Sequence, residues 1–509
     1  MAEKQPNIVV VVADDMGFSD VGCYGGEIST PTLDRLAARG LRFTQHYSTG
    51  RCWPSRACIM TGNYYQQVPC LSDSGGLPDW GRPLPHYLKP AGYQCYHSGK
   101  WHVNQFPEII AHGGFDRSYY VRDYDRNFTV RDHRLDDQPL PPVEPDSGYY
   151  SSTAIGQHAV QFLRVHQQQH AGRPFFLYLA FIAPHFPLHA PQGDIDWYDG
   201  VYDAGWDAMR DQRLRRLSEL GITHCDLSPR QPQTVPAWNL SPDELAAEIG
   251  PGEAPQAVAW NELTPEQQRF QATKMQIHAA MVHRLDREIG RLVEHLKTMG
   301  EFDDTVILFV SDNGASAEQI IRGDRHDKRA TPGSEASYLC LGPGWSTAAN
   351  TPFRYHKSWV HEGGVASPLI VHWPAGISAR GELRRTPGHF IDIGPTLLEL
   401  AGADPEPAWR GAGTPPMAGV SLVPAFGADI DVPRATIFFS HIGHRALRMG
   451  RWKLVAVEGG AWELYDMETD RSELHDLAAG QPERVAAMAA AWERERGLYR
   501  LQSGEERVK

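Results

Sequence analysis

The sequence predicts an α/β protein, with a mostly parallel central sheet flanked by helices and a smaller C-terminal α+β unit of antiparallel strands under a covering helix. Three observations predict it. Short apolar runs rich in β-branched residues, Ile8 to Ala13, Pro174 to Phe181, Thr305 to Val310 and Pro368 to Pro374, read as strands buried on both faces. Segments of helical periodicity lie between them, the alternation that builds a parallel sheet. After a Pro/Gly-rich span at 404–419 the pattern changes to short strands, so the expected boundary divides the chain into 1–415 and 416–509.

At 509 residues the chain is longer than one hydrophobic core comfortably serves, in keeping with two units. A hydrophobic fraction of 41% with 22% charged residues belongs to a globular protein. The formal charge of −13 argues against a nucleic-acid or anionic-membrane partner, so an anionic substrate has to be drawn in by a local cationic pocket or a metal. Seven scattered cysteines make no disulfide framework. Met1 to Pro6 enters the first strand without a basic region and apolar run of signal length, and no segment has membrane-span character, so a soluble cytoplasmic protein is expected.

In chain order, the first strand ends in Asp14-Asp15-Met16-Gly17. Acids just beyond a parallel strand sit where open α/β sheets bind ligands, although an Asp there also caps turns. A helix at Thr32 to Arg39 stops at Gly40, and a short strand leads to Arg51-Cys52-Trp53-Pro54-Ser55-Arg56-Ala57-Cys58-Ile59-Met60-Thr61-Gly62. Taken alone, Cys52 and Cys58 read equally well as buried thiols. Gly92-Tyr93-Gln94-Cys95-Tyr96-His97-Ser98-Gly99-Lys100-Trp101-His102 follows, and residues 104–155, rich in Asp, Arg, Pro and Tyr, read as an irregular insertion.

A helix is expected from Thr153 to Gln169, with Ala154, Ile155, Ala159, Phe162 and Leu163 on one face. The strand at Pro174 to Phe181 runs into Ala183-Pro184-His185-Phe186-Pro187-Leu188-His189-Ala190-Pro191, where stiff neighbours orient His185. The stretch from Trp197 to Trp260, with Trp206 and Trp238, carries no motif, and its basic helix from Met209 to Leu217 reads as solvated. A long helix from Thr273 to Thr298 presents Met281, Leu285, Ile289, Leu292 and Leu296 at helical spacing, with His278, His283 and His295 read as surface or edge residues.

The strand at Thr305 to Val310 ends in Ser311-Asp312-Asn313-Gly314. Asp14, Asp15, Asp312 and Asn313 thus offer hard oxygen ligands from two strand ends, which suits one divalent cation, because three clustered carboxylates without one repel each other. Beyond a loop at 332–350 lies Thr351 to Val365, containing Lys357 and Glu362-Gly363-Gly364, then a core strand and a helix from Ile391 to Leu400. The C-terminal unit is expected as strands at Thr436 to Ser440, Ala446 to Met449, Trp452 to Val457 and Trp462 to Tyr465, with a helix from Pro482 to Glu495.

Cys52-x-Pro54-Ser55-Arg56, followed by a small residue and an apolar run to Thr61-Gly62, resembles the signature of the type I, formylglycine-dependent sulfatases. Gly92 to His102 resembles the family's second signature, with Cys95 for the usual Thr and Val103-Asn104 for the usual Leu-Gly. Tyr202-Asp203-Ala204-Gly205-Trp206 resembles the bacterial arylsulfatases in particular. The resemblance runs the length of the chain and implies an alkaline-phosphatase-like fold.

It also implies a chemistry. A formylglycine-generating enzyme converts Cys52 to 3-oxoalanine (Cα-formylglycine), whose hydrate attacks sulfur. A covalent sulfo-enzyme forms, and the second hydroxyl later expels sulfate by rebuilding the aldehyde. The helix after Cys52, Pro54 to Met60, would present its anion-favouring N-terminus there. Lys100 and Lys357 hold the sulfate, Arg56 offsets charge, His102 serves as base, and His185 protonates the leaving oxygen, with His189 bordering its loop. Calcium is the metal implied at Asp14, Asp15, Asp312 and Asn313.

The function implied is hydrolysis of small-molecule organic sulfate esters, aryl or related, without nucleic-acid or membrane partners. A phosphonate or phosphodiester hydrolase on the same scaffold is the alternative, disfavoured by Asn313, since such relatives tend to carry His there. A silent sulfate-ester binder is disfavoured because every reactive position is filled.

Overall fold

Ile8, Val10 and Val12 point to one face of the first strand and Val9, Val11 and Ala13 to the other, and each face is buried in a separate apolar core. A strand with no polar side requires layers on both sides, and this computed structural model, which describes residues 5–68, 80–103, 106–323, 325–407 and 414–503, supplies them. The strands of its main sheet are β1 (Asn7–Ala13), β2 (Leu41–Tyr47), β3 (Gln94–Gly99), β4 (Arg117–Val121), β5 (His133–Leu135), β6 (Gln138–Pro139), β7 (Phe175–Ala180), β8 (Thr305–Ser311), β9 (Ala366–His372), β10 (Glu382–Arg384) and β11 (Gly388–His389). Their order is β10-β2-β9-β8-β1-β7-β3-β4-β5-β6, with β11 also on β2.

The centre of the sheet is parallel. Val10 is flanked by Tyr178 on β7 and Leu308 on β8, and β3 continues the parallel run beside β7. Only β9 runs against its neighbours β2 and β8, while β5 and β6 turn back at one edge. The helices Pro31–Ala38, Ser151–Gln169 and Pro265–Met299 cover the Val9 face, and Cys52–Thr61 and Ile393–Ala401 cover the Ile8 face. The Pro265–Met299 helix starts eight residues before the apolar periodicity does, because Thr264 and Gln267 form a reciprocal capping box with Pro265 in the first turn. Gly300 ends it with φ 75°.

Three expectations are corrected. The stretch 104–155 is not wholly irregular: β4 pairs with β3, and Tyr119 and Val121 of β4 are buried. The basic helix, Gly205–Glu219, is not solvated throughout, since Arg213 is buried between Asp20 (2.8 Å) and Glu27 (2.7 Å) and Arg210 is buried beside Ser228. His278 is not at an edge; it is buried with Nε2 2.9 Å from Asp20. Asn104 and residues 408–413 of the Pro/Gly-rich span lie outside the described residues.

A second sheet, β12 (Ile437–His441), β13 (His444–Met449), β14 (Trp452–Ala456) and β15 (Glu463–Asp466), is antiparallel throughout. The helix Pro482–Ser503 covers it, stacking Trp492 on Phe438 with ring centres 5.5 Å apart. Buried charges fasten this sheet to the first: Glu362, just before β9, meets Lys453 (2.8 Å), Arg471 (3.0 Å) and the Tyr47 hydroxyl (3.2 Å), and Glu473 also meets Lys453 (2.8 Å). Among the described residues, no disulfide joins Cys23, Cys52, Cys58, Cys95, Cys225 and Cys340. No helix among the described residues is long and apolar enough to cross a membrane.

Candidate active site

The register of the sheet decides what meets at its carboxyl edge. Ala13 pairs with Ser311 and Gly99 with Ala180, so Asp14, Asp312 and Lys100 leave neighbouring strands at one level, and the loop after β7 brings His185 there. β2 points the same way, because it and β8 are both antiparallel to β9, and it delivers the Cys52 helix. The loop before β9 starts from that edge and carries Lys357, whose backbone N–H donates to Ala315. Two glycines permit the crowding. A Cβ on Gly314 would lie 1.8 Å from the Gly363 carbonyl oxygen, and one on Gly99, at φ 118°, would lie 1.8 Å from that of Ala180.

The site brings together all ten residues singled out in the sequence. Asp14, Asp15, Asp312 and Asn313 are buried, and Asp15 adopts φ 65°. Asn313 Nδ2 donates to Asp15 Oδ1 (2.7 Å), and the Asp15 N–H donates to Asp312 Oδ1 (3.2 Å). Arg56, fully buried on the Cys52 helix, grips Asp312 through Nε (2.9 Å) and Nη2 (2.8 Å) and donates from Nη1 to the Lys100 carbonyl (3.0 Å). Lys100 Nζ is 2.5 Å from Asp14 Oδ2, and Lys357 Nζ is 2.8 Å from Asp15 Oδ2 and 3.0 Å from Glu318 Oε2. Burial is the largest influence on both and works against the ammonium charge, but the surrounding groups, Asp14 first for Lys100 and Asp15 then Glu318 for Lys357, together push both lysines above their ordinary range.

The acids divide in the same field. Burial acts to raise Asp14, yet Lys100, His185 and Arg56 hold it below the usual carboxylate range, whereas burial and then Asp14 push Asp312 well above it. Asp14 Oδ1 and Asn313 Oδ1 are buried without a hydrogen-bond partner among the described residues. Ligand atoms of Asp14, Asp15 and His185 lie within 4.8 Å of one another. Unsatisfied oxygens, and a carboxylate that resists ionisation beside another, are what a hard divalent cation corrects, so these residues fit one.

Cys52 opens the helix Cys52–Thr61 and is 4% exposed. Pro54 falls in the first turn, where its missing N–H leaves no bond unmade. Burial raises the thiol pKa, partly offset by Lys100 and Lys357 and reinforced by Asp14 and Asp312, so position 52 feels both the cations and the acids.

His185 Nδ1 lies 2.5 Å from the Phe186 carbonyl oxygen and therefore carries the proton, leaving Nε2 3.7 Å from Asp15. Burial, then Lys357, lowers the His185 pKa to about 3. His102 has φ 53° and an unpartnered, buried Nδ1, and burial followed by Lys100 keeps it neutral. His189 is buried, with Nε2 2.6 Å from the Ser337 carbonyl, and borders the loop as expected from its position.

Individual wall residues were not singled out from the sequence. Tyr124 lies under Lys100 (4.2 Å to the ring centre) and beside His102 (5.5 Å) and His185 (5.8 Å). Arg322 lies 5.9 Å from the Tyr124 ring and 5.4 Å from that of Phe186. Glu318 links Lys357 to Arg51 (3.7 Å). These residues sit in motif-poor stretches and meet the site only through the fold, so no local signal marks them. A groove of about 1110 Å³ between the helices Ser151–Gln169 and Pro265–Met299 is lined by none of the site residues.

A buried site that sets Lys100, Lys357 and Arg56 beside position 52, with acids arranged to fit a cation, is built to hold an anionic ester while it is attacked, which makes the class a hydrolase of charged esters. The chain belongs to the sulfatase family, whose model, described as Sulfatase, matches residues 6–403, and it is a sulfuric ester hydrolase. A second model, described as N-sulphoglucosamine sulphohydrolase, C-terminal, matches residues 353–495. An arylsulfatase of Klebsiella aerogenes is 31% identical over 457 residues, spanning 82% of this chain and 92% of its own. A protein solved in complex with its substrate D-glucosamine-2-N,6-O-disulfate has a TM-score of 0.66 at 20% identity, covering 97% of this chain and 98% of its own. A phosphonate monoester hydrolase from Silicibacter pomeroyi has a TM-score of 0.59 at 20% identity, covering 98% and 96%. These two likenesses concern the fold alone, which is alkaline-phosphatase-like.

Proposed function

We propose that the chain hydrolyses aryl or related sulfate esters to a phenol or alcohol and inorganic sulfate, with position 52 as the nucleophile. The observation that carries this reading is the setting of Cys52: the first residue of a buried helix, in the combined field of Lys100, Lys357, Asp14 and Asp312. A thiol whose pKa is raised is a poor nucleophile as it stands. Converted to Cα-formylglycine, the residue supplies as its hydrate one hydroxyl for attack and another for release. Asp14, Asp15, Asp312 and Asn313 would hold calcium, which would supply Lewis-acid positive charge to the site.

The remaining roles belong to the chain's own side chains. Lys100 and Lys357, kept charged by Asp14 and Asp15, bind the sulfuryl oxygens and offset the charge that develops on them. Arg56 fixes Asp312 and the Lys100 backbone, and so holds the acids and the lysine in register. His102 is neutral and takes the proton of the hydroxyl whose loss expels sulfate. His185, with Nδ1–H fixed on Phe186, offers only Nε2 to the leaving oxygen; burial and Lys357 leave that nitrogen unprotonated, so in this reading it takes up the proton it delivers when the anionic ester binds and offsets the Lys357 charge. Residues 1–415 form the catalytic unit in this reading and 416–509 the C-terminal one. The buried thiols Cys23, Cys95 and Cys340 suit the reducing, cytoplasmic location of this reading.

Because Cys52 is buried, the formylglycine-generating enzyme has to reach it before the chain folds. Intact-peptide mass spectrometry of active protein is expected to find the aldehyde at 52, and Cys52→Ala to be inactive. Full turnover by protein that is entirely thiol at 52 would sink the proposed nucleophile. Rates on paired aryl sulfate and aryl phosphonate esters decide between the two ester classes, and the sulfate is expected to be the faster.

A further inference from the structure

Trp238 combines two properties that seldom meet in one side chain. It is 42% exposed, and it is held from two directions: its Nε1–H donates to Glu318 Oε1 at 2.8 Å, and the guanidinium of Arg51 lies 5.3 Å from its ring centre. Both anchors belong to the site, since Arg51 directly precedes Cys52 and Glu318 pairs with Lys357 at 3.0 Å. A large ring left in water yet fixed in orientation is pre-organised for contact.

The hydrogen bond serves the ring more than it serves Glu318. The Glu318 carboxylate is already fixed by Lys357, by Ser316 Oγ (3.0 Å) and by Arg51 (3.7 Å). Trp197 offers a contrast within the same molecule: it is 67% exposed, but it rests on His283 of the Pro265–Met299 helix, among none of the site residues.

We propose that Trp238 is the specificity-determining platform on which a cyclic leaving group stacks while the sulfuryl group is held at Lys100 and Lys357. This inference rests on the sulfate-ester reading given above. The chemistry recognised is a ring, aryl or pyranose, whose face meets the indole face. A short acyclic alkyl group does not provide one.

The test uses full-length protein co-expressed with a formylglycine-generating enzyme, as wild type, Trp238→Ala and Trp238→Phe. Each is assayed for kcat and KM on phenyl sulfate, glucose 6-sulfate and ethyl sulfate. Trp238→Ala is expected to raise KM about five- to tenfold on at least one cyclic ester with kcat within about twofold, and KM on ethyl sulfate by less than about twofold. Whichever cyclic ester responds identifies the ring as aryl or pyranose. Trp238→Phe, which keeps a ring but cannot donate to Glu318, is expected to recover most of the lost affinity.

An unchanged KM on both cyclic esters in Trp238→Ala overturns the proposal. So does a Phe variant as impaired as the Ala variant, or a fall in kcat on all three esters, because the indole then acts through Glu318. Wild-type protein that carries the aldehyde and turns over no sulfate ester overturns the parent reading and this one with it.

Discussion

His185 illustrates how one residue's surroundings select its chemistry. Burial and Lys357 lower its pKa to about 3, and the Phe186 carbonyl fixes its Nδ1–H, so only Nε2 is free to move a proton. A phenol with electron-withdrawing substituents leaves as a stable anion, whereas an unactivated alcohol needs a proton in the transition state. His185→Ala is therefore expected to lose about 10²–10⁴-fold in kcat/KM on an alkyl or unsubstituted phenyl sulfate, and much less on nitrophenyl sulfate. Equal losses on both would move the proton donor to Lys357. His185 was legible in the sequence because its neighbours Pro184 and Pro187 are local. Glu318 was not, because its meaning comes from Lys357 and Arg51, residues far along the chain that only the fold brings near.

Strands were legible where both faces are apolar, as in β1, β7 and β8, and so was the placement of the polar residues just beyond their carboxyl ends. Short strands with exposed edges were not: β4 mixes buried and half-buried residues, and its partner β5 spans only His133–Leu135, too little for a period to emerge. The Gly205–Glu219 helix was misread for another reason. Its arginines look solvated until Asp20 and Glu27 arrive from the loop after β1. Two strand ends facing each other with unsatisfied oxygens make the proposed metal site a property of the elements rather than of any one residue. Chelation is expected to abolish turnover and calcium to restore it, while Asp312→Ala resists rescue. Stoichiometric zinc on elemental analysis, or an active Asp312→Ala protein, would count against a four-ligand oxygen site.

Across the whole molecule, histidine burial governs the response to acid. Burial lowers His46, His97, His356 and His441 to about 3. Between there and the unfolded value of about 6.5, the unfolded chain binds more protons, so the stability they contribute is present above about pH 6.5 and is lost as pH falls. Each costs about 1.4 kcal/mol per pH unit in that window. Asp286, raised by burial to about 6, pulls the other way, its contribution being lost as pH rises through about 6. One carboxylate shifted by about two units is worth about 3 kcal/mol, less than a single one of these histidines over its full window. The thermal midpoint is expected to hold steady above about pH 7 and to drop steeply below about pH 6. A midpoint that stays level down to about pH 4 would mean that these side chains protonate without unfolding.

The fastening of the two sheets also has a temporal side. Glu362 is secured by Lys453 and Arg471, and Tyr64, three residues past the Cys52 helix, accepts a hydrogen bond on its hydroxyl from the Phe438 backbone N–H. A ribosome delivers residue 52 hundreds of residues before these partners, so position along the chain becomes a clock. Until the strands at 437–466 emerge, the Cys52 segment lacks the neighbours that lock it, and on the function proposed above that interval is when a maturing enzyme would have access. Emergence of those strands would close the interval, and synthesis speed rather than affinity would set how long the modification has to occur.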